Sequence, residues 1–113
     1  MLIKKANSIK KENSKQCTVW EYDFPSKLLS FAIAEVNGRF PDSGKAQNTE
    51  CEEVYYVVSG TGTVHTSKGK FDISEGDLYY FEKNESYWVE GNKLRLAVTN
   101  APKWFFEQFK FVE

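Results

Sequence analysis

From Cys17 onward, apolar and polar positions alternate in short runs cut by turn residues, and no stretch sustains the 3.6-residue repeat of an amphipathic helix. Thr18–Phe24 alternates and stops at Pro25. Ser30–Val36 is a second apolar run, and the pair Asn37-Gly38 predicts a turn after it. Arg39–Lys45, with Pro41 and Gly44, reads as a loop. Val54–Val58 is continuously apolar or aromatic, the pattern of a strand buried on both faces. Thr63–Thr66 and Lys70–Ile73 flank Ser67-Lys68-Gly69, which predicts a hairpin with glycine supplying a positive φ. Asp77–Phe81 follows Gly76. Tyr87–Glu90 and Leu94–Thr99 flank Gly91-Asn92, a second hairpin signal. After Pro102 come Trp104-Phe105-Phe106 and Phe109-Lys110-Phe111, one short helical turn or a final strand. Aromatics this dense predict that Trp104 is substantially buried, closing the domain or packing on a second subunit. Strands at a spacing of roughly 8–12 residues with turns between them predict an all-β sandwich or barrel.

A chain of 113 residues suffices for one domain and not two. Residues 1–16 set Lys4, Lys5, Lys10, Lys11 and Lys15 against Glu12 alone, and read as a solvated N-terminal leader partly laid along a single domain over 17–113. Overall the charges nearly cancel, 15 basic against 16 acidic, so no nucleic-acid or membrane surface is expected from charge. Aromatics make up 16% of residues, which suits β structure around a filled interior. No apolar run is long enough for a secretory leader or a membrane span. Two cysteines, Cys17 and Cys51, make no disulfide framework, and the cytoplasm is the expected compartment.

His65 is the only histidine. A structural zinc site needs four Cys or His ligands, and the chain offers three such residues in all. The two-histidine-one-carboxylate iron triad cannot be assembled within one chain. No Gly-x-Ser-x-Gly elbow accompanies a hydrolase triad. If Val64 points inward, His65 points outward and is a surface or structural residue. Gly38–Ala46 misses the phosphate-loop pattern by one residue of spacing, and Ala46 replaces the metal-binding hydroxyl.

Two segments together resemble the cupin superfamily. The first cupin motif runs glycine, His-x-His, a glutamate three or four residues on, and a glycine after six more. Here Glu53 is followed by six residues and Gly60, while Gln47 and Thr49 stand where the histidines would be. The second motif opens Gly-Asp and continues into Pro-x-Gly-x-x-His. Gly76-Asp77-Leu78-Tyr79-Tyr80-Phe81 matches the opening, Glu82-Lys83-Asn84 replaces the turn, and Tyr87 stands at the histidine. The resemblance covers roughly residues 30–100. It implies a cupin-like double-stranded β-helix, a jelly-roll barrel, and, since small cupins are commonly dimers, a homodimer. It also implies that Glu53 and Tyr87 face the interior. Of the four ligand positions only Glu53 keeps a metal-binding residue, so no transition metal or other cofactor is expected.

Strand alternation would put Gln47, Thr49, Cys51, Glu53, Tyr55 and Val57 on one face. The expected ligand-binding set is therefore Gln47, Thr49, Glu53, Tyr55 and Tyr87, polar groups within aromatic walls, suited to a small polar molecule. Cys51 has acidic neighbours that raise its pKa, and reads as a core filler. Three functions stay open. The first is a non-catalytic binding or sensing module. The second is an enzyme, either a sugar-type isomerase or epimerase using Glu53 or Tyr87 as acid or base, or a metal enzyme with non-standard ligands. The third is a structural or interaction domain with a filled barrel.

Overall fold

The computed structural model describes all residues, Met1–Glu113, and nearly all of its regular structure is antiparallel strand. The strands are β1 (Ile9–Ser14), β2 (Cys17–Tyr22), β3 (Ser30–Phe40), β4 (Lys45–Asn48), β5 (Glu52–Thr66), β6 (Gly69–Ser74), β7 (Leu78–Phe81), β8 (Ser86–Ala101) and β9 (Phe109–Val112). Short 3-10 turns occupy Lys5–Asn7 and Phe106–Gln108. The strand order is β1-β2-β3-β8-β4-β9, with β5 adding to β8 and carrying β6 and β7 on its other edge. The sheet curls into the jelly-roll barrel expected of the sequence. Part of the basic leader is itself a strand: β1 pairs along β2 from Ile9↔Glu21 to Ser14↔Cys17, with its side chains mostly in solvent.

Two of the expected turns are bends instead, and a third bend lies beside them. Asn37-Gly38, Gly60-Thr61-Gly62 and Gly91-Asn92 lie inside β3, β5 and β8, and register brings them side by side: Gly38 pairs with Gly91, and Gly91 with Gly62. The predicted hairpin at Gly91-Asn92 and the predicted end of the second strand at Asn37-Gly38 are thus both corrected. Each strand runs on through a local irregularity, between Val36 and Gly38 in β3 and between Val57 and Thr61 in β5. Two of the glycines show why side chains are excluded. Gly38 sits at φ +119°, and a Cβ on Gly91 would fall onto the carbonyl oxygen of Val36. Three adjacent strands bending at one level fold the sheet over on itself. Only the Ser67-Lys68-Gly69 hairpin, joining β5 to β6, turns the chain back where expected.

The corner is the packed part of the barrel. Val36, Val57, Val64, Val89, Leu94 and Leu96 meet there, none more than 1% exposed. Each such side chain contributes about 1.5–3 kcal/mol by leaving water. Farther from the corner the inward residues change character along every strand. Leu94, Leu96 and Val98 lead to Asn100 on β8; Val57 leads to Tyr55 and Glu53 on β5; Val89 leads back to Tyr87.

Candidate functional site

The end of the barrel away from the corner encloses a cavity of about 500 Å³. Period-2 alternation supplies its walls. β2 contributes Cys17, Val19 and Glu21, and β3 contributes Ala32, Ala34 and Val36. The two alanines are small residues on an inward face, and they leave the space that leucines would fill. β5 brings Glu53 and Tyr55, and β8 brings Tyr87, Val98 and Asn100. Lys11 to Asn13 of β1 and the aromatics Trp104, Phe106, Phe109 and Phe111 form the remaining walls and the rim. A filled barrel would have no such space.

Glu53 is buried, and its two oxygens differ. Oε2 accepts a hydrogen bond from Asn100 Nδ2 at 2.8 Å, while Oε1 has no partner. Burial pushes the carboxyl from an ordinary 4.5 up to about 7, against the opposing pull of the Asn100, Tyr87 and Asn48 side chains. Leaving such an oxygen buried and unsatisfied costs about 1–3 kcal/mol. Tyr55 and Tyr87 approach each other from opposite walls, their hydroxyl oxygens 3.5 Å apart, too far for more than a weak hydrogen bond. Phe81 fixes both rings, at centroid distances of 4.8 and 4.6 Å. Burial holds both phenols well above their ordinary pKa, so each is a neutral donor. Burial first, then the Glu53 charge, lifts the Cys17 thiol to about 12, which makes it an inert wall residue.

Of the five sequence-predicted site residues, the cavity brings together Glu53, Tyr55 and Tyr87. It does not include Gln47 or Thr49. The alternation that would have aligned them is broken, because residues 49–51 lie outside any strand. On β4 it is Ala46 and Asn48 that point inward. Gln47 Nε2 donates to the Asn84 carbonyl at 2.7 Å, and Thr49 Oγ1 to the Gln108 carbonyl at 2.7 Å. Cys51 is fully buried with its Sγ 3.4 Å from the Pro102 carbonyl oxygen, and burial raises it to about 11.

The break is held by Gln108, which sequence reasoning missed. Its Oε1 accepts from the backbone N–H groups of Glu50 and Cys51, both at 3.2 Å, and its Nε2 donates to Asn48 Oδ1 at 2.8 Å. Trp104, mostly covered and packed on Phe109, donates Nε1 to the same Asn48 oxygen at 3.2 Å. A glutamine in an aromatic tail carries no local signal of this role. Asn100 does carry one: it continues the inward phase of Leu94, Leu96 and Val98.

His65 lies on the outer surface. Its ring stacks on Trp88 at 3.6 Å and its Nε2 bonds Glu90 at 2.8 Å, while the Arg39 guanidinium covers the same indole at 4.0 Å. The cavity therefore offers one buried carboxylate, Glu53, with two protonated phenols and the Asn100 amide beside it, and Glu12 and Glu21 on the β1–β2 wall; no group of three or more His, Cys, Asp or Glu side chains is placed to hold a metal ion. That donor set does not fit the imidazole-bound metal of a metal-dependent barrel.

A double-layered barrel with a ligand-sized chamber at one end is the architecture of a small-molecule-binding jelly roll. The family model described as "Cupin domain" matches residues 39–98, and the chain belongs to the cupin family. No curated protein matches the sequence. Among solved structures, a variant of Streptomyces PAC13 with uridine superimposes with a TM-score of 0.87 at 18% identity, over 97% of this chain and 88% of that one. Pac13 itself is described as a nucleoside dehydratase. Ectoine synthase from P. lautus gives a TM-score of 0.76 at 13% identity, over 100% and 91% of the two chains. Oxalate decarboxylase of B. subtilis gives 0.79 at 17%, over 97% of this chain and 32% of the larger one. At these identities the likeness is one of fold.

Proposed function

We propose that this cupin binds, without a transition metal, a neutral small molecule that has a flat apolar part and at least one hydroxyl or N–H donor. The observation that carries the reading is a chamber of about 500 Å³ whose lining combines aromatic rings with the buried Glu53, Tyr55, Tyr87 and Asn100 side chains. A donor on the ligand would hydrogen-bond to this polar group, and the aromatic rim would cover the ring. Uridine, the molecule in the PAC13 structure, belongs to this chemical class and is the first probe. Titration calorimetry with uridine should show binding to the wild type. Ala34→Phe, which fills the chamber, should abolish it, and Glu53→Gln should weaken it about tenfold, the loss of one hydrogen bond to a charged group. Equal heats for wild type and Ala34→Phe would defeat the cavity as the site. Elemental analysis of untagged protein should find less than one equivalent of iron, zinc, nickel or manganese per chain.

We further take the protein to be cytoplasmic and a homodimer. Two unpaired, buried cysteines suit a reducing compartment. The apolar side chains of Tyr56, Leu78 and Tyr80 stand exposed on the outer face of β5 and β7, where a second copy would cover them. Sedimentation velocity tests this: a monomer at micromolar concentration would remove the dimer. No helix is long and apolar enough to cross a membrane.

A further inference from the structure

We propose that Glu21 is a specificity-determining residue of the chamber: it engages Lys11, the one cation of the lining, so that the chamber takes a neutral molecule and turns away the same molecule carrying a phosphate or carboxylate. The inference rests on the binding reading above and deepens it. Its basis is the charge of the walls. The lining holds one lysine against three glutamates, with no arginine, aspartate or histidine. Lys11 Nζ lies 2.9 Å from Glu21 Oε1. Strand register places the pair. Lys11 on β1 stands opposite Val19, and Glu21 on β2 stands opposite Ala32, so both side chains share the inward phase of Val19 and Ala32. The rest of that inner face on β2 and β3 is Cys17, Val19, Ala32, Ala34 and Val36, with no charge among them. Glu21 is the exception to an otherwise uncharged wall.

An anion leaving water needs a counter-charge where it arrives. The chamber holds its only such charge against a carboxylate. Glu12 adds a second acidic side chain next to Lys11 on β1, and Glu53 at the inner end is never positive in either protonation state. The cations of the neighbouring segments are engaged elsewhere. Lys103 Nζ bonds Asp23 at 3.1 Å, and Lys10 lies over the Trp20 ring on the opposite face of the sheet, 5.9 Å from its centroid. A neutral ligand meets a different surface. The Lys11 ammonium keeps two further N–H groups, and the Glu21 carboxylate keeps lone pairs, for the hydroxyls of a ligand. The two side chains are 52% and 34% exposed, so the pair contributes little to stability. Its effect falls on what may enter: the carboxylate is the repulsive element that separates one ligand from its charged counterpart.

Uridine and uridine monophosphate differ by one phosphate and form the matched pair of probes. Titration calorimetry should show wild type binding the monophosphate at least about tenfold more weakly than uridine, because like charges brought together oppose binding. Glu21→Gln keeps the length of the side chain and releases the Lys11 ammonium. It should cut the preference for uridine over the monophosphate about tenfold, through tighter binding of the monophosphate. Glu21→Ala, a second way of removing the carboxylate, should do the same. Adding Lys11→Met to Glu21→Gln should take the gain away, since the cation that produced it is gone. A pair that served only to tie β1 to β2 would lower the melting transition of Glu21→Gln and leave the preference where it was. That result overturns the inference. Equal wild-type affinity for the two probes, both lost in Ala34→Phe, overturns it as well and leaves the binding site standing. Tight monophosphate binding that Lys11→Met removes from the wild type would make Lys11 an anion site and overturns it too. No binding of uridine to the wild type overturns both readings.

Discussion

The two ends of the barrel are made from the same strands and follow opposite rules. At the glycine corner, β3, β5 and β8 contribute only aliphatic side chains, all hidden and all in contact. At the open end the same three strands contribute alanines, tyrosines, a glutamate and an asparagine around a space of about 500 Å³. The corner fills its volume and satisfies its packing. The open end leaves volume empty and one carboxylate oxygen without a partner. Stability is concentrated at one end, and departures from a good core are concentrated at the other. Such departures mark places where something other than stability has shaped the sequence.

The largest effect should come from the corner. Leu96 is fully buried there, and Leu96→Ala should cost about 4 kcal/mol, within the range for a leucine that leaves a cavity in a rigid setting. Denaturant unfolding would report it as a lower midpoint with an unchanged slope. A loss below about 1 kcal/mol would mean that the corner relaxes freely and that the contrast between the ends is false.

The next effect has the opposite sign and comes from the open end. Burial lifts the Glu53 carboxyl from 4.5 to about 7 in the folded protein. The folded state therefore holds this proton more tightly than the unfolded chain does. The stabilisation is complete below pH 4.5 and is lost as pH rises through 7. Glutamine has no such titration and can still accept from Asn100. Wild type should accordingly lose about 3 kcal/mol relative to Glu53→Gln between pH 4.5 and 8, the equivalent of the pKa difference. Unfolding curves of both proteins across that range decide it. A wild type that gained on the mutant would show a carboxylate stabilised by a bound cation.

A third effect belongs to the join between the ends. Gln108→Leu keeps the volume but strands the N–H groups of Glu50 and Cys51 and removes a donor to Asn48. It should cost about 2 kcal/mol. Amide exchange should rise at Glu50 and Cys51 before it rises on β5. Uniform exchange would show that the bend at residues 49–51 holds without the glutamine.

This join also explains what the sequence could and could not reveal. Alternation on β5 is local, so the common face of Glu53, Tyr55 and Val57 could be read from the chain; the apolar run Val54–Val58 is nevertheless not buried on both faces as it predicts, because Tyr56 and Val58 stand exposed on the outer face. The bends could not be told from turns, because a glycine pair permits both and only the pairing of Gly38 with Gly91, and of Gly91 with Gly62, chooses between them. Gln47 and Thr49 share the face of Glu53 only if one alternation carries across residues 48–51. The residue that interrupts it, Gln108, lies about sixty positions away. Contacts of that range leave no trace in a local pattern.

The smallest effect on stability should come from the rim, and it separates the ends most cleanly. Phe106 is 69% exposed although it lines the chamber. A phenylalanine so exposed gains little from folding, and Phe106→Ala should change stability by less than about 0.5 kcal/mol. If the ring exists to cover a ligand, its removal should still weaken uridine binding about fivefold, the equivalent of roughly 1 kcal/mol for one aromatic contact. The two measurements together carry the argument. Unchanged melting with weakened binding would assign the rim to recognition. Weakened melting with unchanged binding would assign Phe106 to the core, and the division of the barrel into a stabilising end and a binding end would fail at its outermost residue.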